Sequence, residues 1–94
     1  MSNKHNGWTN YETWTVIVNI DNTLSLYNFY KDAVREVKEK FPEDKRMEPI
    51  ISILKNMVNG MKPNTNNNIW GPLINATYES INFPEIARNL LEDY

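Results

Sequence analysis

Apolar side chains along this chain recur every three or four positions in short runs, and prolines, Asx-Thr steps or polar clusters interrupt those runs. That spacing builds one apolar face on a helix, and the interruptions stop any helix from running on. It predicts an all-α fold, a compact single domain of about five short helices. With 94 residues there is one small core and no second lobe, so a cleft between two domains would require an oligomer. The expected division is a flexible start at 1–7 followed by one helical domain at 8–94.

Thr9-Asn10-Tyr11-Glu12 has the form of a capping box, so the first helix is expected to begin at Thr9, with Glu12 reaching back. On that helix Tyr11, Trp14, Ile17, Val18 and Ile20 share a broad face. Trp14, Val16, Val18 and Ile20 also alternate at strand period, so a strand at 13–20 is the alternative; the cap and the helical context favour the helix. Asp21-Asn22-Thr23 reads as a turn offering a second cap. From Leu24 on, Leu26, Tyr30, Ala33, Val37 and Phe41 mark the longest helix, which Pro42 stops. Its other face, from Lys31 to Lys40, mixes both signs of charge at helical contact spacing and reads as solvated.

Pro49 is expected to open a third helix, with Ile50, Ile53, Leu54, Met57, Val58 and Met61 inward and Gly60 near its end. Asn64-Thr65-Asn66-Asn67-Asn68 after Pro63 reads as a polar loop. Trp70, Leu73, Ile74, Thr77, Tyr78 and Ile81 mark a fourth helix, with Gly71-Pro72 in its first turn. Asn82 is expected to cap a fifth, with Pro84 in its first turn and Phe83, Ile86, Ala87, Leu90, Leu91 and Tyr94 as its stripe. These stripes read as core.

Composition removes several function classes. There is no cysteine, hence no disulfide, thiol nucleophile or thiolate metal site, and a reducing intracellular setting fits. The net charge of −2 supplies no basic field for non-specific nucleic-acid binding. The polar start, Met1 to Gly7, does not resemble a signal peptide, and no apolar run is long enough to span a bilayer, so a soluble, unsecreted protein is expected.

Catalytic equipment is sparse. His5 is the only histidine and sits at the start of the chain, which argues against a His-based metal site or a Ser-His-Asp triad. Glu12 and Asp21, or Glu79 and Glu85, could pair as acid and base, but each has a simpler duty as cap, turn, solvated group or helix-start acid. Gly7, Gly60 and Gly71 lie too far apart for a phosphate loop. Asn75-Ala76-Thr77 matches a glycosylation sequon within a helix and reads as chance. No enzyme activity and no cofactor are therefore expected.

Aromatic side chains are the surplus. Eleven occur, and Trp8, Tyr11, Trp14, Tyr27, Phe29 and Tyr30 fall close together. Trp14 and Tyr30 have core spacing, whereas Trp8 and Tyr27 are expected either to cover the core rim or to stand exposed as interface anchors. Residues 5–30 contain no Lys or Arg, which weakens stacking on single-stranded nucleic acid there. Asn supplies 15 of the 94 residues, a surplus that an AT-rich genome alone can produce.

Gly7-Trp8-Thr9-Asn10-Tyr11-Glu12-Thr13-Trp14, followed by Ile20-Asp21-Asn22 and Tyr27, resembles the opening of a family of small uncharacterised proteins of bacteriophages and other mobile elements. Ile81-Asn82-Phe83-Pro84-Glu85-Ile86-Ala87 is a second match, with Phe83 where relatives usually carry Trp; Asn19 stands where an aromatic is common. The resemblance implies context rather than chemistry: a phage protein, in the host cytoplasm, that binds and inhibits a host protein or ribonucleoprotein defence complex by stoichiometric occlusion, such as an anti-CRISPR protein blocking a Cas effector. The partner-contact candidates are Trp8, Asn10, Tyr11, Tyr27 and Asn67. Two alternatives stand beside it, a helix-turn-helix-like transcriptional regulator built on the first two helices, and an oligomeric sponge for a nucleotide signal.

Overall fold

A computed structural model describes residues 7–61 and 69–93. Five α-helices follow one another: α1 (Tyr11–Asn22), α2 (Leu24–Lys40), α3 (Met47–Gly60), α4 (Trp70–Ser80) and α5 (Phe83–Asp93), with a 3₁₀ turn at Glu43–Lys45 ahead of α3. None of the described residues lies in a β-strand, and 13–20 is helical. Thr13, Ile17 and Ile20 explain why helix wins over strand: at spacings of four and three they put three buried side chains on one side.

The boundaries differ from the sequence expectation in instructive ways. Asn10, not Thr9, caps α1: its Oδ1 accepts the Thr13 amide at 2.9 Å and the Thr13 hydroxyl at 2.6 Å. Asp21 and Asn22 are the last residues of α1 rather than a turn, and Thr23 alone separates α1 from α2 while its amide donates to the Asn19 carbonyl. That one-residue junction is shorter than the turn of a helix-turn-helix. α3 starts at Met47, two residues before Pro49, because a proline in the first turn removes an amide that has no intrahelical acceptor. Asn82 caps α5 as expected, its Oδ1 accepting the Glu85 amide at 3.1 Å.

The core takes Ile17 and Ile20 from α1, Tyr30, Val34 and Val37 from α2, Ile50 and Leu54 from α3, and Phe83, Ile86, Ala87 and Leu90 from α5. Val34 holds the place expected of Ala33, since Tyr30, Val34 and Val37 complete an i, i+4, i+7 row that leaves Ala33 half-buried. Phe41 and Met61, expected inside, are exposed; each lies just past the last turn of its helix, where the chain turns away from the core. Trp14 is half-buried, and Trp8 packs half-buried against the core edge instead of standing free.

α4 departs most from expectation. It contributes no buried residue, although its apolar positions follow helical spacing. Ile74, Tyr78 and Ile81 are half-buried, Tyr78 meeting the Phe83 ring at 5.5 Å, while the adjacent row of Trp70, Leu73 and Thr77 is exposed. α4 packs chiefly on α1, so one row finds a neighbour and the next does not.

Polar groups lock the ends of these elements. The Arg46 guanidinium donates to the carbonyls of Phe41 and Lys38, placing a cation at the carboxyl end of α2 where the helix dipole favours one. On the exposed face of α2, Lys40 and Glu36 pair at 2.6 Å and Arg35 and Asp32 at 3.2 Å. The hydrogen bond and charge of Lys40 lower the Glu36 pKa, and Glu36 raises that of Lys40 in return.

Candidate functional site

The two segments that carry the family resemblance meet in space. The Thr9 amide donates to Glu85 Oε1 at 3.0 Å, so the acid closing the first turn comes from α5 and not from Glu12. Asn82 Nδ2 donates to the Thr9 hydroxyl at 3.1 Å, and the Asn82 amide donates to the Thr13 hydroxyl at 2.9 Å. Asn10 Nδ2 donates to the Ser80 carbonyl at 2.7 Å, satisfying the end of α4. Thr13 is fully buried and uses its hydroxyl both to donate to Asn10 and to accept from Asn82. No buried side-chain polar atom among the described residues lacks a partner.

This six-residue cluster of Thr9, Asn10, Thr13, Ser80, Asn82 and Glu85 is a clamp joining the starts of α1 and α5 to the end of α4. These bonds run within the chain, so Thr9, Asn10, Thr13, Asn82 and Glu85 hold the fold together. Gly7 belongs to the same design: its φ of 88° is a left-handed conformation that a side chain would strain, and it delivers the chain into Trp8.

The partner-contact candidates separate accordingly. Asn10 is half-buried and spent on the clamp, Trp8 and Tyr27 are half-buried, and Tyr11 is exposed with its ring 5.7 Å from that of Trp14. Trp8 lines a hollow with Gly7, Glu85, Arg88, Asn89 and Glu92. Asn67 and His5 lie outside the described residues.

Uncovered apolar surface gathers elsewhere, between the end of α3 and α4. Val58 and Met61 form one wall, and Trp70, Leu73, Ile74 and Tyr78 the other, of a groove of about 390 Å³. Met61, Ile69, Trp70 and Leu73 are 62, 61, 57 and 51% exposed, an unusual concentration for large apolar side chains in a domain this small. None of its described lining residues carries a charge. Such a surface can bury apolar area against another molecule, and it offers no acid, base or nucleophile beyond the Thr77 and Tyr78 hydroxyls. Among the described residues no group of three or more acidic or histidine side chains converges to hold a metal ion, and no helix is long and apolar enough to cross a membrane.

Sequence reasoning assigned this stripe to the core because helical spacing does not say which way a face points. One signal was present: Glu79 is the only charged residue of α4, so the helix lacks the charged outer face that the opposite side of α2 displays.

Among the described residues, the ionisable group furthest from its ordinary behaviour is Tyr30, fully buried with its hydroxyl donating to Met57 Sδ at 3.0 Å. Burial pushes its pKa up to about 12, which keeps the phenol neutral and marks it as a core element.

No match to the chain was found among curated proteins or among solved structures. A family model of unknown function, DUF7249, matches residues 1–92, a span that takes in the clamp and the α3–α4 groove alike, and the chain belongs to that family.

Proposed function

We propose that this protein is a non-enzymatic binding protein that acts through the uncharged apolar face of α3 and α4, docking on another protein and occluding it. The observation that carries the reading is the concentration of four large, more than half-exposed apolar side chains, of which Met61, Trp70 and Leu73 line one groove and Ile69 precedes Trp70 in the chain. Interfaces draw most of their energy from a few such anchors, and Trp and Met are enriched among them. Thr9, Asn10, Thr13, Asn82 and Glu85 of the motif segments, by contrast, bond to one another or to Ser80 in the clamp, which makes them scaffold.

The resemblance to small phage and mobile-element proteins supports the finer reading, in which the occluded partner is a host defence complex in the cytoplasm, a Cas effector being the first to test. Expression in a CRISPR-defended host is expected to raise phage survival, and the purified protein to bind the effector complex at micromolar concentration. Trp70→Ala and Leu73→Ala are each expected to weaken that binding about tenfold or more while leaving the melting temperature unchanged, as truncated anchors at an exposed site do. No complex at micromolar concentration together with unchanged phage survival refutes the defence reading. Binding that survives both substitutions refutes the assignment of the face.

A further inference from the structure

We propose that the α3–α4 face is self-complementary and that, in the free protein, it closes against a second copy of the chain with two α4 helices antiparallel across a two-fold axis. This rests on the reading of that face as a protein-binding surface and names its occupant when no other partner is present.

Charge is the first support. A two-fold interface sets residues near their own counterparts, so any charge inside it meets its like. Among the described residues the face avoids that penalty: ten basic and twelve acidic residues populate the chain, and no described one lines the groove. Glu79, the one charge on α4, falls away from the centre. With the axis near Leu73 and Ile74, the two Glu79 residues stand roughly 16 Å apart along the helices, beyond the screening length of physiological salt.

Area is the second. From their fractional exposures, Met61, Ile69, Trp70 and Leu73 together uncover on the order of 450 Å². Two copies with the rim of Ile74 and Thr77 bury about 1,000 Å², the lower edge for a specific interface. An interface of that size suits a weak, reversible dimer that another partner can displace, and we take its dissociation constant to be on the order of tens of micromolar. The segment joining α3 to α4, 62–68, contains no Leu, Ile, Val, Met or aromatic residue, so its composition supplies no apolar cover of its own.

Sedimentation velocity on the full chain, from about 5 µM to about 500 µM, tests this across the expected dissociation range. The weight-average mass should rise from 11.1 kDa toward twice that value. Leu73→Asp and Trp70→Lys should each remain monomeric at the highest concentration, with far-UV circular dichroism and melting unchanged at the lowest, since both positions are exposed. An equimolar mixture of Leu73→Asp and Leu73→Lys should recover dimer. A monomer throughout, association that continues past the dimer, or unchanged association in the variants overturns the proposal, and so does a mixture no heavier than its components. A dimer without any host partner refutes only the occlusion reading, and a monomer that binds a host partner refutes only the dimer.

Discussion

Replacing Thr13 by Val tests whether the clamp, and not apolar packing alone, holds α1 to α5. Valine keeps the shape and burial of threonine and removes one hydroxyl. In the native fold that hydroxyl accepts from the Asn82 amide at 2.9 Å and donates to Asn10 Oδ1 at 2.6 Å, at a site with no solvent exposure. The substitution leaves the Asn82 amide without its acceptor, and water does not reach Thr13 to replace it. Leaving that half-buried donor unpaired costs about 1–2 kcal/mol and losing the second bond about 1 more, so a loss of about 2–3 kcal/mol is expected. For a domain of this size that lowers the melting temperature by about 10–20 °C. Urea unfolding followed by circular dichroism should show a midpoint lower by about 2 M with an unchanged slope, which marks a change in stability and not in compactness. Thr13→Ser keeps the hydroxyl and loses one methyl, so it should cost about 1 kcal/mol. A Val variant within about 0.5 kcal/mol of the parent, or one no less stable than the Ser variant, refutes the clamp as a stabilising element.

Two further outcomes follow from the core. Because burial raises the Tyr30 pKa to about 12 from its ordinary 10, folding favours the neutral phenol; its contribution is complete below pH 10 and lost as pH rises toward 12, about 3 kcal/mol in all. Urea midpoints across that range should fall more steeply for the parent than for Tyr30→Phe. Leu54 is fully buried and Leu24 is 74% exposed, so alanine at 54 should cost about 2–5 kcal/mol and alanine at 24 less than about 0.5, as read by the same unfolding curves.

The helices and most of the core were legible in the sequence because three- and four-residue spacing has a direct physical cause. Ile17, Ile20, Tyr30, Ile50, Leu54, Ile86 and Leu90 sit where their spacing puts them. What spacing does not encode is which helix covers which face. α4 repeats the pattern of α5 yet buries nothing, since its neighbour α1 covers only the Ile74–Tyr78–Ile81 row. Local capping was misread for a related reason. Thr9 and Glu12 have the right chemistry for a capping box, but Glu85, 76 positions from Thr9, takes the amide that Glu12 was expected to satisfy. Local rules rank the candidates, and long-range partners choose among them.

The clamp also bears on the order in which the molecule assembles. Its bonds from α1's start to Ser80, Asn82 and Glu85 span 69 to 76 positions of the chain, so making them requires nearly the whole chain to close into a loop first. Contacts that close loops of that length contribute little until the helices they join are already packed. Removing them should therefore leave the folding rate almost unchanged and raise the unfolding rate. The motif segment is thus a latch: it sets how long the assembled fold persists, not how quickly it forms.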